Sequence, residues 1–197
     1  AGDQVVKTLK TKDHALRMQA LKFATDHRLA SDGLAAKVAR KYSSCSEEGR
    51  VDILNWIGDN GLASQKPLLL KAIKKGGAPA TAAIEALGRI GGDDAADVLL
   101  AQVGTGNDAA AQEALKSIKC DLGERVSKAL AAAKTAGRQK ALLAVAGNRH
   151  LKSVAGQALA LCGDGNQEVA TTALAILPCV VGPKDAAQVA GRLDKAP

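Results

Sequence analysis

Apolar residues recur along this chain three and four positions apart, the spacing that lines one face of an α-helix, and the stretches that carry them come in pairs. The clearest unit reads Ala83-Ile84-Glu85-Ala86-Leu87-Gly88-Arg89-Ile90-Gly91-Gly92-Asp93-Asp94. Upstream, Arg50-Val51-Asp52-Ile53-Leu54-Asn55-Trp56-Ile57-Gly58-Asp59 has the same shape: a Leu, an Ile three residues later, then Gly and Asp. Fainter copies are Ala20-Leu21 with Ala24, Ala114-Leu115 with Ile118, Ala141-Leu142 with Val145, and Ala173-Leu174 with Leu177. The Leu anchors at 21, 54, 87, 115, 142 and 174 lie 33, 33, 28, 27 and 32 residues apart, an internal repeat with a period of about 31.

The pattern predicts two helices per repeat, joined by short Gly, Asp and Asn turns. First helices are expected at 13–28, 46–59, 79–91, 107–120, 136–148 and 166–179, second helices at 32–43, 64–75, 93–103, 123–135, 150–162 and 183–195. Pro67, Pro79 and Pro183 stand near expected helix starts, where a missing N–H does no harm. Asp32, Ser64, Asp93 and Asn107 are residues that cap helix N-termini. Gly61, Gly76-Gly77, Gly91-Gly92, Gly104 and Gly163 follow expected helix ends, where a left-handed residue closes the last turn. No stretch alternates at period two, so no strand is predicted. The shorter spacings across 88–142 predict shorter turns and a change of superhelical angle there.

A helix pair of this size cannot bury its apolar stripe alone, whereas stacked pairs share one core. The expected fold is therefore all-α, an α–α superhelix (solenoid) of about six stacked helix pairs forming one domain over 1–197. Its pairs are a weak one at 13–43, clear ones at 46–75 and 79–103, and further ones at 107–135, 136–162 and 166–195. Composition agrees: 47% of residues are hydrophobic and only 2% aromatic, and alanine is about a fifth of the chain, which lets helices approach closely. The apolar runs around Leu68–Leu70 and Ala173–Val181 are far shorter than the roughly 18 residues of a membrane span.

The period, the paired helices and the Ala86-Leu87-Gly88-Arg89-Ile90-Gly91 motif resemble HEAT repeats, in the short bacterial form also seen in phycobilin-lyase-related proteins of the armadillo-like class. The resemblance spans nearly the whole chain and is strongest at 50–59 and 83–94. It implies a non-catalytic interaction or scaffold module whose partner is another protein or a neighbouring domain of the same polypeptide. The stretch from Glu124 to Lys195 is also similar to HEAT modules of large bacterial multidomain proteins, some with a sugar-active domain, which makes an accessory solenoid arm of such an enzyme an alternative. Neither end reads as a polar capping repeat, which points to a piece of a longer protein. The start at Ala1-Gly2-Asp3 fits signal cleavage or a trimmed chain and leaves the compartment, cytoplasmic or extracytoplasmic, open. Oligomeric state is likewise open.

The net charge of +7 is uneven, because residues 1–75 hold 14 Lys and Arg against 8 Asp and Glu. Lys37, Arg40 and Lys41 sit at i, i+3 and i+4 of one second helix, and Lys71, Lys74 and Lys75 repeat the spacing 34 residues later. Stacked helices lie about 8–10 Å apart, so the triads are expected to join into a basic stripe that Lys66 extends. In HEAT arrays second helices line the concave face, so the resemblance places the stripe there. It would bind an anionic partner, an acidic peptide or nucleic acid, with nucleic acid the less favoured. The competing reading is helix design, since cations in a last turn complement the helix dipole.

Nothing else in the sequence assembles into chemistry. His14, His27 and His150 read as surface residues without a nucleophile to activate, and Asp13-His14 and Asp26-His27 are adjacent rather than stacked on one helix face. Asp93-Asp94 is read as a helix start rather than a cation site. Cys45, Cys120, Cys162 and Cys179 are far apart with no CxxC, and Trp56 is read as a packing residue. The expectation is no enzyme activity, no catalytic residue, no metal and no cofactor. A lyase-like module handling a tetrapyrrole leaves no signature here.

Overall fold

Each apolar stripe folds into a helix, and the breaks between stripes fold into turns. The computed structural model describes residues 1–193, and all regular structure among them is helical. In chain order the helices are α1 (Gly2–Thr8), α2 (His14–Asp26), α3 (Asp32–Lys41), α4 (Glu47–Asp59), α5 (Lys66–Lys75), α6 (Ala78–Ile90) and α7 (Asp93–Gln102). They continue with α8 (Asp108–Ser117), α9 (Gly123–Ala131), α10 (Ala136–Asn148), α11 (Ala155–Leu161), α12 (Gln167–Val180) and α13 (Ala186–Leu193). The alternation of first and second helices read from the sequence is thus present from α2 onward.

The differences have local causes. Helix α1 was not predicted; seven residues carry too few apolar positions for a periodic signal, yet Val5 and Val6 are buried. The helix expected at 123–135 stops at Ala131, and the one expected at 150–162 starts at Ala155 after a single 3₁₀ turn at Lys152–Val154. The last one, expected at 183–195, is a 3₁₀ turn at Pro183–Asp185 followed by α13, and residues 194 and 195 lie outside the described residues. The short repeat spacing after residue 88 comes from shorter helices, since α8 has 10 residues where α4, α6 and α10 have 13.

Side-chain caps mark five helix starts. Asp13, Ser31, Ser46, Thr135 and Asn166 each accept a hydrogen bond from a backbone N–H of the first turn. Asp32 and Asp93 therefore sit one residue inside the helices they were expected to cap, and Ser64 lies in a 3₁₀ turn. Pro67 and Pro79 occupy first-turn positions, as their missing N–H allows. Helix α5 ends at Gly76-Gly77, where φ values of 79° and 73° with ψ near −170° suit glycine almost exclusively.

The chain divides into two compact units, Ala1–Gly91 and Gly92–Pro197. In the first, α2 packs on α4 and α4 on α6, while α3 packs on α4 and on the turn leading into α5, and α5 packs on α6. Helix α1 lies against α2 and α3. Leu21, Ile53, Leu54, Ile57, Leu69, Ile84 and Leu87 form this core. Helices α4 and α6 approach closely at Gly58, where a methyl group would fall 2.6 Å from the Ala86 Cα. Gly58 and Gly91 hold the same place in the sequence motif, but Gly58 is a helix-interior contact and Gly91 terminates α6.

In the second unit α8 packs on α10 and α10 on α12, while α7 packs on α9 and α11 on α13. Leu99, Leu115, Ile118, Leu142, Leu143 and Val169 are buried there. Pro178 inside α12 removes the N–H that would reach the Leu174 carbonyl, and Leu174 is exposed, so water can take that bond. Arginines close helix ends in both units. Arg50 donates to the carbonyls of Tyr42 and Ser43 after α3, Arg138 to those of Leu100 and Val103 at the end of α7, and Arg149 to those of Lys116 and Cys120 at the end of α8.

Candidate functional site

The basic residues of the sequence pattern lie on α3 and α5, two 10-residue helices of the first unit. Helix α3 buries Leu34, Ala35 and Val38, and α5 buries Leu69, Ala72 and Ile73. At 100° per residue these sets mark the inner face of each helix: Lys71, Lys74 and Lys75 fall on the opposite side of α5, whereas in α3 Arg40 lies opposite, Lys37 on a flank, and Lys41, the last residue, nearly in line with Leu34. Shifting α3 by 34 positions superposes Lys37 on Lys71, Arg40 on Lys74 and Lys41 on Lys75, and both helices begin at the same register. The Ser64 hydroxyl, in the turn before α5, donates to Asp32 at the start of α3 at 2.5 Å, so the start of α3 meets the turn that leads into α5.

All six triad side chains are exposed. Lys37 pairs with Asp3 of α1 at 2.8 Å, which holds the Asp3 carboxyl below the usual carboxylate range through the hydrogen bond and charge of Lys37. Arg40, Lys41, Lys71, Lys74 and Lys75 make no ion pair or side-chain hydrogen bond among the described residues. Nor do they reach a helix-end carbonyl, in contrast to Arg50, Arg138 and Arg149. Lys66 is half-buried at the first residue of α5, the end of the helix away from Lys74 and Lys75.

A second constellation, not anticipated as such, joins α2 to α4. Arg17 is fully buried and donates from Nε to Asp52 Oδ2 at 2.6 Å and from Nη1 to the Thr11 carbonyl at 2.9 Å. Its Nη2 lies 3.4 Å from Glu48. Burial works against the guanidinium charge, but the hydrogen bond and charge of Asp52, seconded by Glu48, hold its pKa above the ordinary value. His14 Nδ1 lies 3.3 Å from the same Asp52 oxygen, so this histidine has a carboxylate partner 38 residues away that linear spacing could not reveal. A cleft of about 510 Å³ opens here, lined by His14, Glu47, Glu48, Val51, Asp52 and Ala78. Arg17 already neutralises the Asp52 charge. The cluster ties the turn after α1 to α2 and α4.

In the second unit Arg125 of α9 sits between Asp93, at 3.1 Å, and Asp97, both on α7. The Asp97 hydrogen bond, ahead of the Asp93 charge, raises the Arg125 pKa. Asp121, Glu124 and Lys128 complete the lining of a cleft of about 510 Å³. Asp93 therefore binds an arginine as well as standing at a helix start, and no group of His, Cys, Asp and Glu among the described residues is arranged to hold a metal ion. Trp56 is buried and its Nε1–H donates to Thr25 Oγ1 at 3.1 Å, the packing role expected of it. His27 stacks on Phe23, with ring centroids 4.0 Å apart, and His150 is exposed after α10. Cys45, Cys120 and Cys179 are free thiols, with Cys45 buried.

No described helix is long and apolar enough to cross a membrane. The chain matches no protein-family model and none of the curated proteins with which it was compared.

Proposed function

We propose that this chain is a non-catalytic interaction module of HEAT-like helical repeats, an α-solenoid, that takes an acidic protein partner on the outward face of α3 and α5. The observation that carries the reading is the set of exposed cations repeated at a 34-residue shift on two equivalent helices, of which all but Lys37 make no ion pair among the described residues. Arg40, Lys41, Lys74 and Lys75 stand in last turns, where they complement the helix dipole, but that role does not call for the shared register of the two triads. An acidic protein is favoured over single-stranded nucleic acid because Tyr42 and Trp56 are buried and the face offers no ring for bases to stack on.

The test is fluorescence anisotropy of a labelled poly-glutamate peptide and of a short DNA duplex, each titrated over a range of salt. A charge-reversed variant at Lys37, Arg40, Lys41, Lys71, Lys74 and Lys75 is run in parallel. Peptide binding that weakens with salt and is lost in the variant supports the reading. Equal peptide binding by both forms overturns it, and duplex binding with no peptide binding transfers the face to nucleic-acid backbone contact.

A further inference from the structure

We infer that the acidic partner of the α3–α5 face presents a bulky apolar side chain that seats on Leu70 of α5, between lysines. This inference rests on the function proposed above and adds the chemistry the partner must carry. Helix α5 contains the run Leu68-Leu69-Leu70. At 100° per residue three consecutive side chains spread over about 200° of the helix, so one inner face cannot take all of them. Leu69 goes to the core, Leu68 is half-buried, and Leu70 is left 37% exposed. The other large apolar side chains exposed among the described residues are Leu16, Met18 and Phe23 on α2 and Leu174 on α12. Leu70 is therefore the one that belongs to the basic face.

Lysines surround it. Residues four apart are neighbours on a helix surface, with Cβ atoms about 5–6 Å from each other. Lys66, Leu70 and Lys74 form one such row, and Pro67, Lys71 and Lys75 form the row beside it. Leu70 thus has a lysine one turn before it, another one turn after it, and Lys71 next to it in the chain. No acid stands on α5, and Lys66, Lys71, Lys74 and Lys75 make no ion pair or side-chain hydrogen bond among the described residues. In α3 the residue in register with Leu70 is Ala36, which is exposed and four residues before Arg40. The two helices therefore share the cations, and α5 alone carries the apolar anchor point.

Charge and area together select the occupant. A group seated on Leu70 lies against the aliphatic stems of Lys66 and Lys74, whose ammonium groups meet carboxylates to either side of it. An apolar contact ringed by ion pairs is shielded from water, the setting in which one side chain contributes most to binding. A lipid surface needs more apolar area than one leucine supplies, because interfacial binding scales with the area buried. A second copy meeting face to face would set lysine against lysine. Nucleic acid would meet the lysines with phosphates but finds in Leu70 no ring to stack on.

The probe is a labelled peptide of about 12 residues, all Glu but for one central Phe, measured against an all-Glu peptide of the same length. Tighter binding of the Phe peptide by about tenfold, reduced in Leu70→Ser to the level of the all-Glu peptide, supports the inference. All-Glu binding should be unchanged in Leu70→Ser and should fall in Lys66→Glu/Lys74→Glu. Leu70→Met, which conserves volume and apolarity, should keep the preference, and Leu174→Ser should alter neither peptide's binding. Circular dichroism checks that each variant is folded. Equal affinity for the two peptides overturns the inference and leaves the acidic-partner reading standing, as does a Phe preference that survives Leu70→Ser. Binding of neither peptide overturns both. Leu70-dependent binding to phosphatidylserine vesicles, or a Leu70-dependent dimer in sedimentation, in place of peptide binding also overturns the inference.

Discussion

Replacing Gly58 by Ala tests whether α4 and α6 are held at the separation described. A methyl group at Gly58 would lie 2.6 Å from Ala86 Cα, 2.8 Å from Ala86 Cβ and 2.9 Å from Arg89 Nε. The nearest atom is backbone, so no rotamer change relieves the clash and the helices must separate. Separation also strains the Arg89 bonds to Asp59, at 3.1 Å, and to Asn55, at 2.9 Å. Overpacking of this kind costs about 1–3 kcal/mol, against a gain of about 0.5–1 kcal/mol from replacing a helical glycine. The expected net loss is about 1–2 kcal/mol. Gly137→Ala, in α10 with nothing within 4 Å of the added methyl, keeps only the gain and should be neutral or stabilising. Urea unfolding followed by Trp56 fluorescence reads the first unit directly, since the single Trp sits on α4 two residues from the substitution. Ala86→Gly should rescue Gly58→Ala only in part, because the Ala86 Cα remains. A Gly58→Ala midpoint equal to or above that of the unaltered chain, at unchanged m-value, would refute the close approach.

Asp52→Ala should destabilise the first unit by about 3–5 kcal/mol, because it leaves the Arg17 charge buried without its main partner. Glu48→Ala, which removes an exposed partner at 3.4 Å, should cost less than about 1 kcal/mol, and a reversed order in urea unfolding would contradict the geometry. Among the cysteines, Cys45 should be the last to react with iodoacetamide. It is buried, and burial pushes its thiol pKa up, so near neutral pH it holds less thiolate than an ordinary cysteine and its labelling should speed up with rising pH. Mass spectrometry of partly labelled protein reads the order, and early labelling of Cys45 under native conditions would contradict its burial.

From α2 onward, helix existence and order were written in the sequence, because an apolar residue every three or four positions has only one way to reach a shared core, and because Pro, Gly and capping residues act within one turn of where they stand. The exposure of the α5 triad was equally legible: once Leu69 and Ile73 point inward, Lys71, two positions from each, and Lys75, two beyond Ile73, point out, whereas Lys41, seven residues from Leu34, is exposed because it ends α3. What the sequence left undecided depends on partners far along the chain. Arg50, Arg138 and Arg149 look like Arg40 in the sequence, yet they end on helix carbonyls while Arg40 stays in solvent. Arg17 became the most deeply buried charge in the first unit because Asp52, 35 residues on, meets it across the α2–α4 contact. Gly58 and Gly91 share a motif position and part company only when α6 packs at the former. Local periodicity determines which face of a helix is apolar; which charge, glycine or aromatic ring on that helix meets a neighbour is decided when the helices pack, since those contacts join residues that no local spacing relates.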